Sequence, residues 1–195
     1  MYGIVWFLGR PPLTYREGAS MRRFDRIVNK KESWGRFTVK MALTTALIVG
    51  SGAMFFSRFT FAYDPQQVIS IKGYSFYLID RGDKSMEKGK LYAFHPKVIP
   101  GIYTPEHRLV KYLRGVPSDQ VEINLKEQVK VNGEIVAVGL VHADKLGRSR
   151  SSFIGKGTLG PNAYWFMGDA PLSFDSRYWG TVTKEQIIGR SYPLF

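Results

Sequence analysis

The stretch Gln128–Val138, "QVKVNGEIVAV", places an Asn-Gly pair between two short runs that are rich in branched residues. Asn132-Gly133 in this context is typical of a two-residue turn between antiparallel strands, because both central positions of that turn need a positive φ. The stretch therefore predicts a β-hairpin and, around it, an antiparallel sheet.

Further short runs of the same character lie on both sides of the hairpin, separated by Gly, Pro and Asp as strands commonly are. They are Ser75–Ile79, Lys90–Phe94, Arg108–Leu113, Gln120–Leu125 and Ala163–Met167. No helical period of useful length is visible beyond residue 64. The sequence predicts a mainly β fold, with one small antiparallel domain over residues 64–195.

A different pattern precedes these runs. Met41–Ser57 contains 17 residues without a charge, which as a helix would span roughly 26 Å against a hydrocarbon core of ~30 Å. Lys40 and Arg58 bound the run with side chains that can reach the headgroups, and several aromatic residues near its far end suit a membrane interface. We interpret residues 41–57 as one transmembrane helix, with a buried helix of a soluble domain as the alternative.

Charge is distributed unevenly along the chain. The formal net charge of the whole chain is +12. Residues 1–40 hold nine basic and three acidic residues, so half of the net positive charge lies in this segment. By the positive-inside rule, residues 1–40 form a basic cytoplasmic segment and the β domain lies in the periplasm of a bacterium. Met21, which begins a more typical cytoplasmic segment, is an alternative start of translation.

Several kinds of chemistry are excluded or disfavoured. The chain has no cysteine, so disulfides, thiolate metal sites and a cysteine nucleophile are absent. His95, His107 and His142 are far apart in sequence and lack a second ligand at metal spacing, so we interpret them as surface or strand-edge residues and predict no metal. No phosphate-binding or dinucleotide motif is present, and no cofactor is predicted. Nucleic-acid binding is disfavoured because the basic excess flanks an apolar span.

The stretch Met167–Gly180, "MGDAPLSFDSRYWG", concentrates polar side chains near the end of the chain. Asp175 lies two residues from Arg177, which is close enough for a local ion pair, and Ser173 supplies a hydroxyl beside them. A Tyr-Trp pair follows as an apolar anchor. On chemistry alone, a well-packed turn and a functional site explain the stretch equally well.

The order of these residues resembles the last signature motif of the type I signal peptidases, Gly-Asp, a short insert, then Ser-x-Asp-Ser-Arg-Tyr-Trp-Gly. Gly168-Asp169 and Ser173–Gly180 match it, with the insert one residue shorter. Leu109–Val121, "LVKYLRGVPSDQV", resembles the lysine motif of the same family. Its Lys111, Gly115, Pro117 and Asp119 are in register, whereas Tyr112 and Ser118 replace the usual Arg and Gly. The resemblance covers roughly residues 70–195 and is closest to the TraF-type conjugative transfer peptidases.

This resemblance implies a serine nucleophile and a lysine general base that loses its proton near neutral pH. It implies that Lys111 is the base, that Ser173 hydrogen-bonds the lysine amine, and that Asp175 and Arg177 hold the loop, with Gly168 and Asp169 in support. Lys111 is two residues from both Leu109 and Leu113, so in a strand the three side chains share one face. Burial on that face would lower the pKa of Lys111, because burial penalises the charged ammonium.

Ser70 is the predicted nucleophile by position, since it follows the apolar run and lies 41 residues before Lys111. Lys72 stands where the family has a proline after the serine. Ser85, only four residues before Gly89, and Ser75, inside a predicted strand, are weaker candidates. The backbone N–H of Ser70 would contribute to the oxyanion hole. Some family members have a hydroxyl two residues earlier, where this chain has Val68.

The predicted function is that of a membrane-anchored serine endopeptidase that cleaves an exported precursor. The TraF-type resemblance implies a conjugative propilin, released by water or cyclised by its own N-terminal amine. The implied partners are this precursor, the lipid bilayer and other conjugation or secretion components, without nucleic acid. The altered serine motif leaves open an alternative, a catalytically silent relative that serves as an assembly factor of a pilus or type IV secretion system.

Overall fold

The structure is a computed structural model, and it describes residues 33–64 and 70–195. Three of the sequence predictions therefore fall on residues outside the described ranges: most of the basic segment 1–40, the alternative start at Met21, and the oxyanion position at residue 68. The chain divides into two units, with the boundary between Gly50 and Ser51.

Helix α1, Trp34–Arg58, is 25 residues long and has no buried residue. In the described part of the chain it is the one helix whose length and mean hydropathy of 1.6 would allow it to cross a membrane. It begins seven residues before the uncharged run Met41–Ser57, because that preceding stretch contains no proline to break a helix. Its length is roughly 37 Å at ~1.5 Å per residue, enough for a hydrocarbon core of ~30 Å.

Two antiparallel sheets make up most of the second unit. Six strands pair in the order β1-β2-β10-β3-β4-β9 and four pair in the order β7-β6-β5-β8. The strands are β1 (Phe59–Tyr63), β2 (Phe76–Asp80), β3 (Leu91–Phe94), β4 (Leu109–Gly115), β5 (Gln120–Ile123), β6 (Gln128–Val131), β7 (Glu134–Val138), β8 (Gly155–Thr158), β9 (Trp165–Met167) and β10 (Ile187–Pro193). A single-turn helix α2, Ser176–Trp179, lies between β9 and β10. The predicted mainly antiparallel β fold is confirmed.

The predicted hairpin is also confirmed. β6 and β7 pair with Val131 opposite Glu134, and the turn residues have φ values of 51° at Asn132 and 88° at Gly133. Both angles lie in the left-handed region, which Asn and Gly tolerate better than other residues. The five other predicted strands correspond to β2, β3, β4, β5 and β9.

Pattern alone misses three strands. Phe59–Tyr63, which the sequence suggests as part of an interfacial aromatic belt, is β1 and pairs with β2 from Phe59 opposite Asp80. Gly155–Thr158, "GKGT", has little intrinsic strand propensity but pairs with β5. The C-terminal strand β10 lies between β2 and β3. For β8, pairing with β5 outweighs a weak local preference, whereas β1 and β10 contain strand-favouring residues that were assigned to other roles.

The two sheets share one hydrophobic core. It is rich in aromatic rings from β3, β9 and α2, such as Phe94 and Phe166, whose ring centroids are 4.6 Å apart. β5 and β6 contribute branched residues, including Val121 and Val129. This core fixes the relative position of β4 and the segment that follows β9, on which the candidate site lies.

We expect Gly115→Val to destabilise the domain. Gly115 ends β4, and a Cβ there would lie 2.9 Å from Leu159 Cδ1 and 3.1 Å from Trp165 Cβ. Adding volume to a close-packed core typically costs about 1–3 kcal/mol. Denaturant titration of the full chain in detergent micelles, followed by tryptophan fluorescence, measures the loss in the free energy of unfolding.

Gly157→Val is the matched control. Gly157 lies on the exposed strand β8, and a Cβ there has no neighbouring atom within 4 Å. A branched residue suits an exposed strand, so the free energy of unfolding should not fall. Equal losses in the two variants would contradict the packing assigned to Gly115.

Candidate active site

Lys111 is a buried lysine in the middle of β4. Its side chain is 2% exposed and shares a strand face with the buried Leu109 and Leu113, as predicted. The amine donates a hydrogen bond of 2.9 Å to Ser173 Oγ. Burial lowers the pKa of Lys111 from 10.5 to about 8, partly offset by nearby carboxylates, chiefly that of Asp175. A substantial fraction of the amine is therefore neutral at mildly alkaline pH.

A buried ion pair holds the loop that presents Ser173. The side chains of Asp175 and Arg177 are 0% and 1% exposed, and the guanidinium donates two hydrogen bonds, of 2.8 and 2.9 Å, to the carboxylate. Arg177 also donates to the carbonyl oxygens of Ser173 at 2.9 Å and Gly139 at 3.1 Å. Gly139 follows β7, so one guanidinium joins the Ser173 loop to the four-stranded sheet.

The Gly-Asp pair after β9 contacts the segment around Ser70. A Cβ at Gly168 would lie 2.5 Å from the Ser70 carbonyl oxygen and 2.7 Å from Ser173 Cβ, so only glycine fits between them. The Asp169 carboxylate accepts a hydrogen bond of 2.9 Å from the backbone N–H of Lys72. Ala170 N–H donates to the Ser70 carbonyl at 3.3 Å. The backbone that follows Ser70 is therefore held by one turn.

Ser70 is 9% exposed and lines the same cavity as Lys111. Among the described residues, no hydrogen bond joins Ser70 Oγ to the lysine amine, which bonds Ser173 instead. The other two serines considered from sequence do not line this cavity. Ser85 is exposed, with its Oγ 3.4 Å from the Tyr92 hydroxyl, and Ser75 donates its backbone N–H to the Phe195 carbonyl.

The cavity has a volume of about 440 Å³. Its wall combines aromatic and aliphatic side chains with a set of charged and imidazole groups. The lining residues that carry polar or charged groups beside Ser70 and Lys111 are Tyr63, Asp64, Tyr77, Tyr103, His107, Arg108, His142 and Lys145. Such a cavity is large enough to accept several side chains of a bound peptide.

Sequence reasoning missed the place of two histidines. His107 and His142 line the cavity, although their spacing suggested ordinary surface positions. His142 Nε2 donates to the Leu172 carbonyl at 2.8 Å. The position of His107 close before the lysine strand is a signal that could have indicated its proximity to the site.

Among the described residues, no group of three or more His, Asp or Glu residues is arranged to hold a metal ion.

Aromatic packing anchors the segment after Ser173. Tyr178 and Trp179 are buried, as predicted for an apolar anchor. The Tyr178 ring stacks on Phe174, with centroids 5.1 Å apart and planes 7° from parallel. Ser176 Oγ accepts a hydrogen bond of 2.9 Å from Phe166 N–H on β9. These contacts attach helix α2 to the core.

The turn after β4 connects the lysine strand to the hairpin. Ser118 has a φ of 74°, which explains why glycine would be favoured at this position. The Asp119 carboxylate accepts hydrogen bonds from Val116 N–H at 2.8 Å and from Asn132 Nδ2 at 2.7 Å. The carboxylate thus ties the turn that ends the lysine strand to the Asn-Gly turn.

Residues 31–195 match the family described as "Signal peptidase, peptidase S26". The chain belongs to this family. The motifs around Lys111 and Ser173 both lie within the matched range.

Two curated relatives are similar to parts of this signal peptidase family member. A conjugal transfer protein TraF of Agrobacterium fabrum is 30% identical over 97 residues, 49% of this chain and 52% of its own length. A probable signal peptidase I-2 of Synechocystis is 26% identical over 110 residues, 56% of this chain and 48% of its own length. The chain thus spans about half the length of the curated relatives it matches. A solved signal peptidase I of Enterococcus faecalis V583 is 21% identical, with coverage of 53% of this chain and 94% of that chain and a TM-score of 0.34.

In this signal peptidase family member, the described geometry combines a proton acceptor with a hydroxyl in one cavity. A neutral amine can take a proton from a hydroxyl during attack on a carbonyl, and such transfer is most effective when the pKa of the acceptor lies near the working pH. Lys111 meets this condition because burial lowers the pKa of its amine to about 8.

We expect Arg177→Gln to destabilise the domain strongly. The substitution leaves the Asp175 carboxylate buried without its partner and removes the bonds to the Ser173 and Gly139 carbonyls. Breaking a buried ion pair by removing one partner typically costs about 3–5 kcal/mol. Denaturant titration of the full chain in detergent should show a loss of this size.

Arg150→Gln is the matched control, because it removes a guanidinium that also pairs with a carboxylate. The Arg150–Glu127 pair is 2.8 Å long, but the arginine side chain is 50% exposed. Exposed pairs contribute about 0–1 kcal/mol, so little change is expected. A small loss for Arg177→Gln, similar to that of the control, would show that the buried pair is not what holds the loop.

Proposed function

We propose that the chain is a membrane-anchored serine endopeptidase of the signal peptidase type, in which Ser70 is the nucleophile and Lys111 the general base. The observation that carries the proposal is the buried Lys111 amine, bonded to Ser173 Oγ at 2.9 Å in a cavity that Ser70 also lines. Burying an amine costs free energy, and a buried lysine whose pKa is lowered to about 8 beside a cavity is typical of a functional site.

The proposed reaction proceeds through an acyl-enzyme. The neutral Lys111 amine takes the proton of Ser70 Oγ as the oxygen attacks the scissile carbonyl carbon. The resulting ammonium then returns the proton to the leaving amine, and the peptide C–N bond breaks. A second nucleophile then attacks the ester carbonyl and gives its proton to the Lys111 amine. The C–Oγ ester bond breaks, and the ammonium returns the proton to Ser70 Oγ, which regenerates the serine hydroxyl. Alignment of the serine with the lysine would be completed by substrate, as catalytic hydrogen bonds often tighten only in the bound complex.

The remaining family-motif residues have supporting roles in this proposal. Ser173 orients the lysine amine, and the Asp175–Arg177 pair holds the Ser173 loop. Gly168 allows close approach of that loop to the Ser70 backbone, and Asp169 fixes the segment after Ser70 through Lys72 N–H. The backbone N–H of Ser70 is one oxyanion donor.

The proposed substrate is an exported precursor, and the similarity to a conjugal transfer protein supports a conjugative propilin. The second nucleophile is then either water, which gives a linear product, or the N-terminal amine of the pilin, which gives a cyclic one. Other conjugation or secretion components are proposed as partners on the same ground.

A catalytically silent assembly factor is the second candidate. Two observations favour it: Lys72 stands where the family has a proline, and among the described residues no hydrogen bond joins Ser70 Oγ to the Lys111 amine. The two candidates differ in whether Ser70 and Lys111 are needed for a change in the mass of the precursor.

We expect Ser70→Ala, Lys111→Ala and Lys111→Arg each to reduce processing by on the order of 10³-fold or more, because nucleophile and base act as one unit. The arginine variant fails since a guanidinium does not lose its proton at working pH. Each variant is co-expressed with a candidate propilin, and the product is identified by its mass, which also separates linear from cyclic forms.

Ser75→Ala and Ser85→Ala are the controls and should retain processing. In the wild type, the rate should rise as pH increases through about 8, since only the neutral Lys111 amine accepts a proton. Retained processing in Ser70→Ala together with loss in Ser85→Ala would assign the nucleophile to Ser85. An unprocessed propilin with the wild-type chain would favour the assembly factor.

The proposed topology has residues 1–40 in the cytoplasm, a span over 41–57 within helix α1, and residues 64–195 in the periplasm of a bacterial inner membrane. It rests on the charge of the N-terminal segment, because basic loops remain cytoplasmic. Alkaline phosphatase fused after Phe195 should therefore be active, and the same reporter fused before Met1 should be silent. The opposite pattern would reverse the orientation.

A further inference from the structure

The cavity that Ser70 and Lys111 line also carries two exposed cations from separate segments. Arg108 directly precedes β4, and Lys145 lies in the short 3₁₀ turn Asp144–Leu146. Neither side chain forms an ion pair with a described residue. Long charged side chains without a partner at the wall of a cavity are available to a ligand.

Acidic groups do not balance these cations. Among the described residues that line the cavity, Asp64 is the one acid. The neighbouring Glu106 and Asp144 are not part of the lining, and Glu106 accepts a hydrogen bond of 2.6 Å from Thr104 Oγ1. The cavity wall therefore carries an excess of positive charge, which raises the local concentration of anionic groups.

The position of Arg108 also indicates where such an anion would lie. Arg108 lies just before β4 and three residues before Lys111, which corresponds to ~10 Å at ~3.3 Å per residue of extended chain. Residues an odd number apart point to opposite faces of a strand, so the shared cavity wall, and not a strand face, brings both groups to one ligand. A peptide bound in an extended conformation has the same rise per residue. A group that meets Arg108 would thus lie within about three residues of a bond held beside Lys111.

We propose that Arg108 and Lys145 recognise a carboxylate of the precursor, close to the bond that is cut. The inference rests on the proposed function, because it assumes that a polypeptide substrate enters this cavity. Arg108 supplies a planar fork that matches a carboxylate, whereas Lys145 acts as a point charge. The carboxylate is either an Asp or Glu side chain or the free C-terminus of a short product-like segment.

A binding experiment tests this without requiring catalysis. The full-length Ser70→Ala chain is immobilised in detergent and incubated with randomised hexapeptides whose termini are acetylated and amidated, so that only side chains carry charge. Mass spectrometry measures the composition of the retained peptides. Asp and Glu should be enriched roughly fivefold over Asn and Gln, as expected for two partly exposed ion pairs. The enrichment should disappear when Arg108→Gln and Lys145→Gln are added.

Arg81→Gln with Lys126→Gln is the matched control, because these exposed cations lie outside the cavity and their loss changes the net charge equally. This pair should keep the enrichment. A second library with free C-termini identifies the source of the carboxylate. If peptides of this second library are retained only when Arg108 and Lys145 are present, and without preference for Asp or Glu, the recognised group is the terminal carboxylate.

The proposal fails if neither the enrichment of acidic peptides nor the retention of peptides with free C-termini depends on Arg108 and Lys145. It also fails if Arg108→Gln and Lys145→Gln leave peptide retention unchanged but weaken binding to phosphatidylglycerol vesicles more than to phosphatidylcholine vesicles. The two cations would then bind lipid headgroups. Failure of the proposed function is recognised separately, as absence of propilin processing by the wild type.

Discussion

The buried guanidinium of Arg177 is the contact on which the rest of the candidate site depends. It neutralises the Asp175 carboxylate and donates to the carbonyls of Ser173 and Gly139. A buried charge is costly unless it is paired and its hydrogen-bonding groups are satisfied, and here one planar group meets several acceptors at once. The loop that presents Ser173 is thereby attached both to its own helix and to the end of β7.

This arrangement also sets the electrostatic environment of Lys111. Burial lowers the pKa of the amine, whereas the Asp175 carboxylate acts in the opposite direction and the Arg177 guanidinium opposes that carboxylate. Because Asp175 is already paired, its attraction for the ammonium is weaker than that of a free carboxylate at the same distance would be. Desolvation is the largest influence, and it lowers the pKa of the Lys111 amine to about 8. The same ion pair thus supports the geometry of the site and keeps the lysine from being locked in its charged form.

Gly168 shows how closely the two halves of the site approach. The Ser70 backbone and the Ser173 side chain come so near to it that a single methyl group would separate them. The next two residues of the same turn hold this segment: Ala170 N–H donates to the Ser70 carbonyl, and the Asp169 carboxylate accepts a hydrogen bond from Lys72 N–H. The turn after β9 therefore positions a segment that is almost a hundred residues away in sequence, a relation that a local pattern does not reveal.

Much of this protein was determined by sequence alone. The Asn132-Gly133 turn, the alternation of Leu109, Lys111 and Leu113, and the motif from Gly168 to Gly180 predicted the antiparallel fold, the buried lysine face and the family. These are local signals, because turn geometry and strand periodicity act over a few residues.

Only the tertiary structure decided the remaining features. The glycine-rich β8 is a strand because β5 supplies its hydrogen-bonding partner, and β1 follows from pairing with β2. The cavity shared by His107, His142, Arg108 and Lys145 arises where two separate segments meet beside β4. Residue spacing does not predict such tertiary contacts, because they depend on how the two sheets pack on their common core. The sequence by itself determined the strands' faces and the motif residues, whereas the fold decided which distant side chains share a cavity, since burial and charge depend on the assembled surroundings.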